Sequence, residues 1–136
     1  MTNAFDCEIE GRVAFVSDSG AGRLCVLDIS NPDAPALLSE VDGLNRNGIR
    51  LALSTRGDRD LLFVSQDGAG DVCVYDVSDL RDPRRLGRWA NASPWPGLPG
   101  RGGNLADVAV EGDIAVVANF NFGMHVLDVS DPAEPR

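Results

Sequence analysis

One short pattern occurs three times along the chain, and this repeat constrains the fold more than any other feature. An apolar run ends in Asp, then Ile or Val, then Ser, with the aspartates at Asp28, Asp76 and Asp128, so that the spacings are 48 and 52 residues. A second apolar run precedes each copy: RVAFVS, DLLFVS and DIAVVA. Repeats of this period are typical of proteins built from stacked supersecondary units.

Each unit of the repeat consists of four short β-rich runs. In the third unit the first three runs are DVAVEG, IAVVAN and MHVLDVS, and a Pro-containing turn follows them. In the second unit IRLALS is the first run. Val, Ile, Leu and Phe dominate the runs, and clusters of Gly, Asp, Asn and Pro separate them. No stretch sustains a helical period. The sequence therefore predicts an all-β protein.

The runs RLCVLDI and DVCVYDV are apolar at both alternating sets of positions. A strand with one solvated face alternates apolar and polar residues, so these strands need cover on both faces. A blade packed between neighbouring blades has such cover. We predict a partial β-propeller of about 2¾ four-stranded antiparallel blades; the alternative, a two-sheet sandwich, would leave one face of each strand polar.

The predicted boundaries treat residues 1–136 as a single partial propeller. Blade one covers about 4–41, blade two about 47–89, a long loop about 90–103, and an incomplete blade three about 104–136. Propellers close with four or more blades. We therefore expect the chain to be a fragment of a larger propeller, whose remaining blades are supplied in cis or by self-association.

The chain resembles the LVIVD-repeat propellers, and more loosely the YVTN-type propellers. The resemblance rests on VLDISNP, VYDVSDL and VLDVSDP, and on DVAVEG before IAVVAN. It implies a bacterial or archaeal propeller of a family whose members are often secreted or surface-associated and mostly have undefined functions.

The net charge and the hydropathy of the chain limit the classes of partner that it can bind. Twelve basic against twenty-one acidic residues give a net charge of −9, which argues against binding to nucleic acid or to an anionic membrane surface. No apolar run has the length of a membrane span. The first residues, MTNAFDCEIEG, show no secretory signal pattern, so the location stays open apart from the secreted or cell-surface expectation that the resemblance carries.

The Asp-hydrophobic-Ser core of the repeat is interpreted as structural. Asp and Ser side chains bond to nearby backbone groups and form turns that end a strand. The six residues predicted to do this are Asp28, Ser30, Asp76, Ser78, Asp128 and Ser130.

The cysteines and the single histidine are also interpreted as structural. Cys7, Cys25 and Cys73 fall on strand positions, so all three are predicted to be reduced and buried. Their spacing does not match a zinc site, and we expect no metal and no cofactor. His125 lies between two apolar residues of a strand and is expected in the core rather than in a catalytic triad.

Five residues are candidates for ligand binding. Asp6, Arg50 and Asp107 occupy matching positions near the start of the innermost strands, and Trp95 and Arg101 lie in the long connection ANASPWPGLPGRGG. Long irregular connections are often functional, and the resemblance implies that ligands bind on the axial face of the propeller.

These residues favour a non-catalytic binding or scaffolding propeller with an unidentified protein or glycan as partner. The alternative is an enzyme whose axial active site is assembled from blades partly missing from this chain. The sequence leans towards the binding role, because the chain offers no nucleophile paired with a base and no set of metal ligands.

Overall fold

The computed structural model describes residues 1–90, 105–120 and 123–136, and these contain strands and turns but no helix. The predicted all-β class is confirmed. The strands are β1 (Ala4–Glu10), β2 (Val13–Asp18), β3 (Arg23–Asp28), β4 (Ala36–Asp42), β5 (Ile49–Arg56), β6 (Arg59–Gln66), β7 (Asp71–Asp76), β8 (Arg84–Ala90), β9 (Leu105–Glu111), β10 (Ile114–Asn119) and β11 (Gly123–Asp128).

The strands form three antiparallel sheets of four, four and three strands. The first sheet has the order β1-β2-β3-β4, the second β5-β6-β7-β8, and the third β9-β10-β11. Every strand pairs with its neighbour in sequence, so each sheet is a meander. A glycine with positive φ lies in the turn after the first strand of each sheet, with φ of 57° at Gly11, 66° at Gly57 and 54° at Gly112. Only glycine adopts this conformation without strain.

The three sheets share one register, which makes their positions equivalent. Asp28 pairs with Val13 in the first sheet and Asp76 pairs with Leu61 in the second. The third sheet repeats this pair with Asp128 and Ile114. We call the face of each sheet that packs on the following sheet its front face, and the opposite face its back face.

The front face of the first sheet packs on the back face of the second. Phe15, Leu24 and Val26 of the first sheet share one buried cluster with Leu62 and Val64 of the second. The front face of the second sheet packs in the same way on the back face of the third, with the buried residues Phe63, Val72, Val74, Val108, Ala115, Val117 and Leu127. Burial of each large side chain stabilises the fold by about 1.5–3 kcal/mol, so these two layers are the core.

The turn after the Asp-hydrophobic-Ser motif packs on the outer strand of the preceding sheet. The Ser39 hydroxyl on β4 donates to the Leu80 carbonyl at 2.6 Å. Gly87 occupies the same position on β8, and a Cβ there would collide with the carbonyl oxygens of Pro132 and Ala133. Both β4 and β8 carry an irregularity in register beside this position.

Arg136 pairs with Asp128 on the outer side of β11 through two backbone hydrogen bonds. Asp128 N donates to Arg136 O at 2.7 Å, and Arg136 N donates to Asp128 O at 3.1 Å. Ala36 is bonded to Asp28 in the first sheet at the corresponding pair. Beyond this one pair, no described strand borders β11 on its outer side.

Two expectations from the sequence need correction. Cys25 and Cys73 are buried, but Cys7 is exposed, because it lies on the edge strand β1 of a back face that no other described sheet covers, whereas Cys25 lies on the same face in the interior strand β3. His125 is only half-buried, since β11 borders no complete fourth strand; its ring lies 5.0 Å from that of Trp89 at a tilt of 53°. All three cysteines are free.

The long loop expected over about 90–103 lies outside the described residues except for Ala90, which ends β8. The described part of the chain contains no helix with the length and hydropathy that a membrane crossing requires.

Candidate functional site

The structure places Asp6, Arg50 and Asp107 at one equivalent position on the first strand of each sheet. Their partners on the second strands are Ser17, Ser65 and Ala118. Strand β1 packs beside β5, and β5 beside β9. The three residues therefore lie along the inner edge of the assembly, where the first strands of the three sheets meet.

The Asp6 carboxylate is occupied by backbone amides. Its Oδ2 accepts from Leu51 N of the second sheet at 2.9 Å, and its Oδ1 accepts from Cys7 N at 3.0 Å. The Ser17 hydroxyl reinforces the junction, because it donates to Ile49 O at 2.9 Å and accepts from Asp6 N at 3.0 Å. Asp6 thus ties the inner strands of two sheets together.

Arg50 is held differently. Its guanidinium lies 4.6 Å from the centre of the Phe5 ring, within the range of a cation–π contact. None of the ion pairs among the described residues includes Arg50. Among the contacts of the described residues, the aromatic ring of Phe5 is the group that meets this cation.

Carboxylates also lie at the inner edge. The pKa of Glu8 is raised by its burial and, next, by the charges of Asp6 and Asp107. Asp107 belongs to the third sheet, so carboxylates of the first and third sheets approach one another at the inner edge. Trp95 and Arg101, the other two candidates, lie outside the described residues.

The turn residues of the repeat form the same contact in each sheet. The aspartate Oδ1 accepts from the serine amide two positions later, at 2.8 Å for Asp28 and Ser30, 3.0 Å for Asp76 and Ser78, and 3.0 Å for Asp128 and Ser130. Hydrogen bonds from the serine hydroxyl and then its amide hold the pKa of each aspartate below its usual range. The aspartates lie at separate strand ends, and no group of three metal-ligating side chains is found among the described residues.

Two buried polar residues that the sequence did not identify, Asp18 and Gln66, lie at the ends of β2 and β6. Asp18 accepts from Thr2 N at 2.8 Å and Asn3 N at 2.9 Å, and Gln66 at the equivalent position accepts from Asn45 N at 2.6 Å. Burial acts to raise the pKa of Asp18, but these hydrogen bonds outweigh it and lower the pKa well below the usual range. Each side chain anchors the segment that enters its sheet. The endings FVSD and FVSQ, at the same place in two repeats, contain the signal.

A second residue without a signal in the repeat is Arg56. Its guanidinium donates to Val129 O at 2.7 Å, to Gly112 O and to the Asp113 carboxylate at 3.3 Å. It therefore clamps the second sheet to the third at the end away from Arg50. Its position falls in the connection TRGDRD, which is longer than its counterparts and obscures the alignment.

A polar groove of about 400 Å³ opens between the first two sheets at their outer side. Its buried floor holds Asp71, which pairs with Arg88 and accepts from the Gln66 amide at 2.9 Å. Burial raises the pKa of Tyr75 to about 12 and raises that of the Cys73 thiol. Both groups are therefore protonated at neutral pH, and the groove holds no nucleophilic thiolate.

Two solved structures resemble this fold. The computationally designed Ika8 protein matches with a TM-score of 0.56 and 13% identity, over 94% of this chain and 34% of that chain. PorZ of Porphyromonas gingivalis, described as an essential bacterial surface component of the type-IX secretion system, matches with a TM-score of 0.56 and 16% identity, over 98% of this chain and 16% of that chain. The chain thus spans about a third of one and about a sixth of the other. These similarities support a propeller-like arrangement of the sheets.

A search of curated proteins gave no match. The family model of the LVIVD repeat matches residues 3–43 and 102–136, which together are more than half of the chain. The two matched segments contain the first sheet and the third, and the second sheet repeats their register strand for strand. On these grounds the chain belongs to the LVIVD repeat family.

Proposed function

We propose that the chain is a binding or scaffolding module, about 2¾ four-stranded blades of a larger β-propeller, which holds a protein or glycan on its axial face. The axial face is the inner edge formed by β1, β5 and β9. The observation that carries the proposal is Arg50, a cation at the inner edge without an ion-pair partner among the described residues, with its guanidinium over the Phe5 ring. The remaining blades are supplied in cis or by another copy of the chain.

Asp6 and Arg50 contribute differently to the fold. Asp6 accepts a hydrogen bond from Leu51 N of the second sheet, whereas the Arg50 guanidinium contacts the first sheet through the Phe5 ring and forms none of the ion pairs found among the described residues. Arginine and aromatic side chains supply a large share of the binding energy at interfaces. An arginine held flat on an aromatic ring loses less rotamer freedom when it binds an acceptor. Arg50 is therefore the expected anchor of the site.

The test uses the labelled chain on two probes, an array of neutral and acidic glycans and a displayed library of random peptides. We expect selective binding to one of them, and Arg50→Ala should reduce it at least tenfold. The matched control is Arg81→Ala, which removes an exposed arginine in the turn before β8. Binding that survives Arg50→Ala unchanged, or that falls equally with Arg81→Ala, would contradict the assignment.

We also propose a secreted or cell-surface location. The family resemblance supports it, and PorZ provides a surface protein of similar fold. Antibody staining of intact and permeabilised host cells tests this directly, since an intracellular protein would stain only after permeabilisation.

A further inference from the structure

We propose that the front face of the third sheet binds the back face of the first sheet of a second copy, so that two copies close head to tail into one ring of six sheets. The inference extends the propeller arrangement proposed above, and it does not depend on what the axial face binds. It rests on a comparison of equivalent positions at covered and uncovered faces of the same chain.

The front face of the third sheet has the composition of a buried face. Val126 is 56% exposed, whereas Val26 and Val74 at the same position in the first two sheets are 0% exposed. Val116 and Met124 are likewise exposed, although their counterparts in the other sheets are buried. These side chains are apolar because the position is an interface position, and the described chain leaves it uncovered.

The edge strand β1 on the back face of the first sheet shows the complementary contrast, while Ala14, Val16 and Cys25 on the interior strands of that face are already buried. Ile9 is 60% exposed, while Leu53 and Val110 at the same position pack against the two buried clusters. Phe5 and Cys7 on the same strand are exposed as well. The back faces of the second and third sheets are covered by the front face of the sheet before them, and the first sheet lacks that cover in a single copy.

Both uncovered faces also have surface hollows into which side chains of a second copy can pack. A hollow of about 250 Å³ lies on the third sheet between Ala109, Ile114 and Val116. A hollow of about 300 Å³ lies on the first sheet beside Phe5 and Val16. Apolar side chains next to hollows of this size allow interdigitation, as in the two interfaces within the chain.

The Asp107 carboxylate at the inner edge of the third sheet is equivalent to the Asp6 carboxylate of the first sheet. Asp107 Oδ1 accepts from Val108 N at 2.9 Å, as Asp6 Oδ1 accepts from Cys7 N at 3.0 Å. In Asp6 the second oxygen accepts the Leu51 amide of the next sheet. Asp107 occupies the position on the third sheet that Asp6 occupies on the first, so a following inner strand would meet a carboxylate at the same place.

The occupant is a second copy because each chain carries one face of each kind. A front-to-back contact is heterologous, and such contacts generate either a closed ring or an open filament. With three sheets a copy, two copies make six sheets, which lies within the usual range of closed propellers. The ring satisfies both uncovered faces of both copies at once.

The experiment is sedimentation velocity on the full chain over a range of concentrations. We expect the wild type to form a species of twice the monomer mass, and Val126→Lys and Ile9→Lys each to remove the closed dimer. The control is Asp58→Lys in the exposed β5–β6 turn, which changes the net charge more than either variant and should leave the dimer intact. Far-ultraviolet circular dichroism checks the fold, and Met124→Lys replaces Val126→Lys if the latter unfolds.

Mixing the two variants distinguishes head-to-tail contact from front-to-front or back-to-back contact. A one-to-one mixture of Val126→Lys and Ile9→Lys retains one intact front and one intact back, so it should form a heterodimer through a single interface although neither variant does so alone. A wild type that is monomeric at every soluble concentration, a dimer that persists in either variant, or a mixture that stays monomeric would each overturn the proposal. Arg50→Ala should still form the ring, so loss of ligand binding and loss of assembly are separable.

Discussion

At the scale of single residues, the repeated motif encodes two linked turns. Asp28 accepts the amide of Ser30, and Asn31 then accepts the amide of Asp33 at 3.2 Å. The third sheet repeats the second turn through Asp131, which accepts the Ala133 amide at 2.9 Å. Side chains that satisfy nearby amides hold the backbone in the turn without a ladder partner. The pattern Asp-hydrophobic-Ser-Asp/Asn therefore serves to lead the chain out of the third strand.

Replacing Asp76 with Ala should lower the free energy of unfolding by about 1 kcal/mol, the usual net value of one hydrogen bond to an amide that water can reach. Urea denaturation measures it, with exposed Asp58→Ala as the control. Because the hydrogen bonds of Ser78 lower the pKa of Asp76, this contribution is present at neutral pH and is lost as the pH falls through the folded-state pKa. A difference that persists unchanged at low pH would contradict the turn assignment.

Glu8→Gln should have the opposite effect on stability. Burial and the charges of Asp6 and Asp107 raise the pKa of Glu8, so the folded protein binds this proton more tightly than the unfolded chain, and stability falls as the pH rises through the folded-state pKa. At neutral pH the neutral side chain should stabilise the fold by a few tenths of a kcal/mol, since partly exposed charges are screened. Thermal melting at several pH values tests it: the gain should vanish in acid, and a loss at neutral pH would contradict it.

At the scale of elements, the sheets are joined by different chemistry at equivalent places. The outer strand of the first sheet uses the Ser39 hydroxyl to bond the Leu80 carbonyl, and the outer strand of the second sheet uses the absence of a side chain at Gly87. The inner end of the first junction uses Asp6, while the second junction relies on Arg56 at its far end. The apolar layers are repeated, whereas the polar contacts are particular to each junction.

Gly87→Ala should destabilise the protein more than Ser39→Ala. The added methyl group meets the backbone carbonyls of Pro132 and Ala133, and overpacking of this kind typically costs about 1–3 kcal/mol. Ser39→Ala removes one hydrogen bond and should cost about 1 kcal/mol. Chemical denaturation of both variants gives the comparison; equal stability of Gly87→Ala and wild type would show that the third sheet does not pack against β8 at this point.

At the scale of the whole molecule, the stacking has a direction. Every covered junction joins a front face to a back face, and each uncovered face carries the residues of its covered counterparts. The exposed apolar side chains Met124 and Val126 at one end and Ile9 at the other therefore occupy positions that are covered elsewhere in the stack.

Thiol labelling reports on the back face of the first sheet, where Cys7 and Ile9 lie. In dilute solution one thiol, Cys7, should react quickly, while Cys25 and Cys73 react only on unfolding, because both are buried and burial raises the pKa of each thiol. Mass spectrometry of labelled peptides identifies the site, and Cys7→Ser is the control. As the concentration rises, labelling of Cys7 should slow if the back face becomes covered. Rapid labelling of Cys25 or Cys73 in the folded chain would contradict the described packing.

The sequence was sufficient for the strands and their equivalence, because the aspartates Asp28, Asp76 and Asp128 mark one position in three copies. It was misleading for Cys7, since alternation indicates that a face is apolar but not whether another sheet covers it. Arg56 had no signal, because its acceptors are backbone carbonyls of another sheet. The positions of Asp6 and Arg50 could be matched, but their different roles depend on which neighbour each side chain reaches.

The directional stacking has a consequence for how such genes change. A duplication or deletion of one whole repeat leaves every remaining junction as a front against a back, so copy number can drift without inventing a new surface. A partial duplication, by contrast, leaves a row of backbone amides without acceptors or an apolar layer without cover, and should destabilise the fold. Within a junction, a substitution on one side can be compensated only by the adjoining repeat, so neighbouring repeats should diverge as matched pairs.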